Sequence, residues 1–314
     1  MKSPYPVSVD LLPPDISAFE AGNTGVPYIH SFASTEPGPA VMVMALTHGN
    51  EVCGAWAVKT ALEMKLRPRR GTLTFGFANV AAFNRFDPNE PDATRFVEED
   101  GNRIWGAKLD SDQTSIELTR GRQIRPIVEA QDLLLDIHSM QHKTAPLMLS
   151  GWTAKGRALA RKVGAPATVV ADKGHAAGVR MIDHGAFADE QSPKTAILIE
   201  CGQHWELASK DVAHDIMWRF LAVSGLFDAG DLPVMPPPPP QTLVEVTQAV
   251  TIQSENFTFA QPFTGLERIA KAGDIIGHDG DVPVTAPYDN CVLVMPTRKV
   301  KVGNTAVRLG RVVG

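Results

Sequence analysis

Val41-Met42-Val43-Met44-Ala45-Leu46 is an unbroken apolar run. A run of that length with no polar face reads as a strand covered on both sides, and such strands belong to sheets with helices packed on either face. The run ends in Thr47-His48-Gly49-Asn50-Glu51. A helix follows, because Ala55, Val58, Leu62 and Leu66 share one face and Lys59, Glu63 and Arg67 another, until Pro68 stops it.

Two later runs have the same form. Residues 133–137 end in His138, and residues 195–199 end in Glu200. In open α/β sheets, ligands gather beyond the carboxyl ends of the strands. His48, Glu51 and His138 would make a His₂Glu set, a common catalytic zinc arrangement with one position open to water. A single His-x-x-Glu arises by chance in many chains, so the three strand ends carry more weight together than the motif alone. Asp136, about 7 Å back along its strand from His138, reads as structural.

Strands are expected also at 72–78, 146–149 and 168–171, with helices at 124–130, 153–163 and 206–226. Residues 1–40 read as edge strands and turns. Residues 79–120 form a long polar stretch with little periodicity, and a stretch of that length inside a compact domain is functional or disordered. Pro236 to Pro240 are consecutive. Polyproline is a semi-rigid spacer that continues neither a helix nor a central strand. The expected organisation is a catalytic domain over 1–228, a proline-rich linker over 229–241 and a small all-β domain over 242–314. The fold class is α/β, with a mixed, largely parallel sheet flanked by helices.

A net charge of -5 argues against nucleic acid or an anionic membrane as partner. No run approaches the roughly 18 apolar residues of a membrane span. Met1 to Pro6 lack an apolar core, so no signal peptide is expected. The three cysteines are widely scattered, which suits neither a disulfide framework nor a four-cysteine zinc site and points to a reduced, cytoplasmic setting. The oligomeric state is not readable.

Four segments carry a resemblance. Thr47-His48-Gly49-Asn50-Glu51 resembles the HGNE motif of the succinylglutamate desuccinylase/aspartoacylase family, which is related to the zinc carboxypeptidases. The segment from Thr94 to Trp105 resembles the family's arginine-bearing loop, Asp136-Ile137-His138 its DLH strand, and Ile199-Glu200 its IE strand. The order is the family's, over most of residues 40–225. The resemblance implies a zinc carboxypeptidase-like fold and one Zn²⁺ per chain on His48, Glu51 and His138. It implies Glu200 as general base, Arg95 as the group that polarises the scissile carbonyl, and Asn102 and Arg103 as the site for the amino-acid carboxylate. The C-terminal region resembles the small β domain of bacterial members and is similar to lipoyl-type domains, but no lysine sits near Asp289-Asn290, so lipoylation is not expected.

Two departures bear on the substrate. Gly101 replaces a leucine, which implies a more flexible loop. Phe187-Ala188-Asp189-Glu190 lacks the arginine that helps aspartoacylase hold its aspartate, which points away from N-acetylaspartate and towards a cationic or neutral group. His142, His184 and His204 read as structural or exposed, Cys201 as packed inside, and Tyr288 as a core residue flanking a turn. The implied activity is hydrolysis of the amide bond of an N-acyl amino acid or related small amide. A metallocarboxypeptidase acting on a peptide and a non-catalytic metal- or ligand-binding protein stay open as alternatives.

Overall fold

The computed structural model describes residues 8–174 and 177–313. Met1 to Pro6, on which the expectation about a signal peptide rests, lie outside the described residues. The strands in chain order are β1 (Ile29–Ala33), β2 (Ala40–Ala45), β3 (Thr72–Phe77), β4 (Leu133–Met140), β5 (Leu147–Leu149), β6 (Thr168–Ala171) and β7 (Thr195–Gln203). They continue as β8 (Thr242–Thr251), β9 (Phe257–Phe259), β10 (Arg268–Ile269), β11 (Ile275–Asp279), β12 (Val282–Thr285), β13 (Cys291–Val294) and β14 (Thr305–Val313). The helices are α1 (Cys53–Glu63), α2 (Val80–Phe83), α3 (Ile116–Glu129), α4 (Ala154–Val163) and α5 (Leu207–Val223).

The sheet is mixed and largely parallel around its centre. β2 pairs in parallel with β3 and β4, and β4 pairs in parallel with β7. The register sets Ala45 beside Ile137, and His138 beside Glu200. Alternate residues of each strand enter opposite cores. Val43, Ile137 and Ile199 pack with α1 and α5, whereas Met44, Leu134 and Leu198 pack with Ile124 and Val128 of α3. A slip of β4 by one residue would turn His138 to the wrong face. Gly54 lets α1 lie close on the strands, since a Cβ there would stand 3.0 Å from the side chains of Ala45 and Ile137.

The polar stretch 79–120 is ordered by short elements. Asn79 caps α2 by accepting from Ala82 N, and single 3-10 turns occupy Pro91–Thr94 and Ala107–Asp110. α3 begins eight residues earlier than its apolar period suggests, capped by the Ser115 hydroxyl. Three arginines, Gly121 and Pro126 blur that period, and Gly121 is required by the close approach of Ile104 and Leu109.

Residues 229–241 contain no helix or strand. The chain beyond them has a small core of its own around Phe263, Ile276, Leu293 and Val307, and a three-stranded sheet of β12, β11 and β9. It is not set apart from the first unit, however. β8 pairs in parallel with β6, from Thr168 beside Thr242 to Ala171 beside Glu245, and β14, β13 and β10 continue the eleven-stranded sheet beyond it.

Candidate active site

The chain leaves β2 through Leu46, whose φ of +60° is a conformation leucine rarely adopts. Gly49 then passes so close to α2 that a Cβ would lie 2.5 Å from the backbone of Ala82 and Phe83. Its N–H donates to Arg95 O at 2.9 Å, fixing the turn against the arginine loop. The tight turn directs His48 and Glu51, both buried, towards His138.

Glu51 lies between the two rings. His48 Nδ1 is 2.8 Å from its Oε1 and His138 Nδ1 is 2.8 Å from its Oε2. Ligand atoms of the three residues all lie within 4.8 Å of one another. The outer nitrogens face carboxylates, His48 Nε2 at 2.9 Å from Asp100 Oδ1 and His138 Nε2 at 2.8 Å from Asp136 Oδ2. A ring that donates its outer N–H to a carboxylate turns the other lone pair inward, as histidines that hold metals do. Asp136 is thus more than structural: regular alternation puts it on the face of His138, and the side chain spans the gap. Thr47 Oγ1 holds its other oxygen at 2.8 Å.

Arg95 already supplies a positive charge to these donors. Its Nη1 donates to Glu51 Oε1 at 2.8 Å, and its Nη2 lies 2.9 Å from His48 Nε2 and 3.3 Å from Asp100 Oδ2. Burial works against a charged Glu51, but His48 and His138 outweigh it and hold the carboxyl well below the usual range. Burial likewise opposes a charged His138, and Asp136 and Glu51 raise its pKa well above the ordinary value. A buried carboxylate, two imidazoles oriented by carboxylates and a guanidinium standing in for a cation fit a divalent metal ion.

A cavity of about 460 Å³ lies over this cluster, and Glu51, Arg95, Arg103 and Glu200 face it. Glu200 Oε2 is buried with no hydrogen-bond partner. Burial and the nearby Glu51 push the Glu200 carboxyl well above the usual carboxylate range. Burial, with Arg95, Arg308 and Arg180 close by, lowers the Arg103 guanidinium to about 10, so it stays a cation at neutral pH. Asn102 sits beside Arg103 and off the cavity wall, its Oδ1 accepting from Met181 N at 2.9 Å. Gly101 lets the loop close on the strand end, where a Cβ would stand 3.1 Å from Thr47 O.

His142 and His204 line the cavity. Burial pushes both down, to about 4 and about 3, so both rings are neutral. His184 lies elsewhere, against Trp105 and Glu129. Asp189 and Glu190 do not face the cavity, and Glu190 accepts from Ala154 N at the start of α4. Tyr288 bonds Thr247 in the C-terminal unit, and Cys201 is buried as expected.

Sequence reasoning missed Glu117, which accepts from Asn79 Nδ2 and from the backbone N–H groups of Val97, Glu98 and Glu99. A C-terminal unit that narrows the pocket was open from the sequence, but its residues were not: Thr264, Pro296, Lys301 and Arg308 face the same cavity as Glu200. Arg308 lies 3.2 Å from Asp172, which also holds Arg180 at 2.6 Å. The i, i+2 spacing does put Asp136 on the face of His138, and only the distance along the strand argued against contact, but no local signal announces Arg308, more than a hundred residues beyond Glu200.

An α/β sheet with buried side chains that could hold a metal ion at the ends of adjacent parallel strands belongs among the enzymes that place their chemistry at such strand ends. The chain belongs to the succinylglutamate desuccinylase/aspartoacylase catalytic domain family, whose model matches residues 37–221. It is 25% identical to a succinylglutamate desuccinylase of Vibrio vulnificus over 252 residues, covering 74% of this chain and 70% of that one. Its fold is similar to that of the Vibrio cholerae succinylglutamate desuccinylase, with a TM-score of 0.68 and 18% identity over 91% of this chain and 86% of the other. It is similar also to the ectoine utilization protein EutE of Ruegeria pomeroyi, with a TM-score of 0.61 and 16% identity over 90% and 88% of the two chains.

Proposed function

We propose that this protein is a zinc-dependent deacylase that hydrolyses the amide bond of an N-acyl amino acid or a related small amide. The observation that carries the reading is the position of Glu200, with a buried and unpartnered carboxyl oxygen, facing the same cavity as Glu51 of the His48–Glu51–His138 donor set. The family is one of amide hydrolases, and the names of the relatives support an acylated amino acid as substrate.

His48, Glu51 and His138 would hold one ion per chain, which when bound acidifies water to a pKa of about 7 and polarises a carbonyl. Arg103 binds the amino-acid carboxylate through its planar fork, with Asn102 supporting the loop beside it. Arg95 faces the reacting carbonyl and stabilises the negative charge that develops on its oxygen. Glu200 takes a proton from the attacking water and returns it to the nitrogen as the C–N bond breaks, releasing a carboxylate and an amine. Burial and the neighbouring Glu51 raise the Glu200 carboxyl above the usual range, which strengthens it as an acceptor for the proton of the water.

The unit over 242–314 serves as one wall of the cavity. That enclosure favours a small substrate over the peptide chain of a metallocarboxypeptidase, and about 460 Å³ lies within the range of small-molecule sites. No helix among the described residues is long and apolar enough to cross a membrane. The three free, buried cysteines support a reducing compartment such as the cytoplasm.

The test is a hydrolysis screen of N-acetyl and N-succinyl amino acids with acidic, basic and neutral side chains, alongside dipeptides. Activity should disappear with a chelator and return with zinc. Full activity in metal-free protein would end the metal reading, turnover of dipeptides alone would favour a carboxypeptidase, and metal binding without any turnover a binding protein. Glu200→Gln should keep its metal and lose at least about 100-fold in turnover. An unchanged rate would show that another group is the base.

A further inference from the structure

The buried imidazole of His204 has one nitrogen engaged and one not. The residue follows β7 directly, and its backbone N–H donates to Met140 O at 2.9 Å, which ties it to the end of β4. The ring is 1% exposed and lines the catalytic cavity. Nδ1 lies 2.8 Å from Ser139 Oγ, and Nε2 is buried with no protein partner. A buried polar nitrogen left unpaired is costly, and such groups in a binding cavity are completed by ligand or water.

We propose that His204 is a specificity-determining residue of this cavity, donating a hydrogen bond from Nε2 to an oxygen of the acyl group that lies beyond the carbonyl being hydrolysed. The inference rests on the deacylase reading. The direction of the hydrogen bond follows from the chemistry of the substrate. An N-acyl amino acid offers several oxygen acceptors and a single amide N–H, the one at the bond that breaks. The partner of Nε2 is therefore an acceptor, so Nε2 carries the proton and the Ser139 hydroxyl donates to Nδ1. The N–H of Ser139 donates at the same time to Glu51 Oε2 at 3.0 Å, which fixes the height of the ring relative to the donor cluster.

The acyl end is assigned by the surroundings of the two candidate contacts. Arg103 has Asp100 as its nearest charged influence and then three cations, Arg95, Arg308 and Arg180, and the amino-acid carboxylate belongs beside that cationic group. His204 has Arg298 among its charged neighbours, and Arg298 Nη1 donates to Gln141 O beside His142. With the carboxylate on Arg103, the acyl group extends along the wall that His142 and His204 share. Burial, together with Arg95, His48 and Arg298, keeps the His204 ring neutral, so it acts as a directional donor with no net charge of its own. An apolar acyl chain would leave Nε2 unpaired, and a site built to hydrogen-bond a group discriminates against analogues that lack it.

The test compares the zinc-loaded wild type with His204→Phe, which keeps a ring and removes the donor, and His204→Gln, whose amide can place N–H near the position of Nε2. N-succinylglutamate is set against N-butanoylglutamate, which has the same four-carbon acyl length without the far oxygens. H204F should lose about 10- to 100-fold in kcat/KM on the succinyl substrate and stay near wild type on the butanoyl one. H204Q should recover most of the loss, and thermal melting checks that both variants fold. Calorimetric titration with succinate and with butyrate reads the same contact without turnover, and only succinate should bind more weakly to H204F. Equal losses on both substrates, or no loss on either, would overturn the proposal, as would a folded H204Q no better than H204F. If the wild type hydrolyses neither these compounds nor any other in the N-acyl amino acid screen, the deacylase reading fails by itself. An unchanged succinate affinity in H204F would then still refute the role of His204.

Discussion

Asp136 never meets a substrate, yet the orientation of His138 depends on it. One oxygen is held by Thr47 and the other faces His138 Nε2, so the carboxylate decides which nitrogen of the ring points at Glu51. Asp136→Asn should therefore weaken zinc binding by about 10- to 100-fold, read by competition with a chromogenic chelator. Unchanged affinity would mean that the ring is held by Glu51 alone. His48, His138 and Glu200 are visible in the sequence because each follows an apolar run that only a buried strand explains. Asp136 is a single polar residue inside such a run, and the rise of about 7 Å to His138 spoke against contact because it leaves out the reach of the two side chains. His204 could not be told from a satisfied core histidine without the geometry that leaves Nε2 alone.

The loop bearing Arg95 has little core packing to order it and takes its shape from α3. Glu117, in the first turn of that helix, gathers three successive N–H groups and the Asn79 amide on one carboxylate. A glutamine there would turn one acceptor into a donor facing backbone N–H groups. Glu117→Gln should cost about 1–3 kcal/mol of stability and lower kcat/KM at least about 10-fold. Bound zinc should stay constant, since Glu117 touches none of the proposed ligands. Loss of metal in parallel with activity, measured by elemental analysis, would show that the loop also supports the ligand cluster. This is why 79–120 looked featureless. Periodicity reports packing against a face, whereas this segment is ordered by side-chain bonds to backbone some twenty residues away. The long strands and α1 were legible for the opposite reason, being built almost wholly on burial.

Across the whole molecule, Asp172 joins the two units. It follows β6, with Arg180 at 2.6 Å from one oxygen and Arg308 of β14 at 3.2 Å from the other. Burial opposes its charge, but the two guanidinium groups prevail and its pKa is lowered. Because the folded value lies below the unfolded one of about 3.9, this contribution is complete above that pH and is lost as pH falls through the folded value. Asp172→Asn leaves Arg308 facing Arg180, which keeps Asp183 as its remaining carboxylate at 2.5 Å, and should cost about 3 kcal/mol at pH 7, with the gap to wild type narrowing below about pH 4. Denaturant unfolding at both pH values measures it, and equal stability at pH 7 would refute the role of the ion pairs. Nothing in the sequence announced this junction, since consecutive prolines mark a break in local structure and say nothing about which strands pair on either side. The pairing of β6 with β8 also sets how the cavity can be entered. Backbone hydrogen bonds splice the C-terminal cover to its base, and the exposed Lys299 and Lys301 stand at the rim of the opening. A wall built in this way narrows the mouth by its own shape.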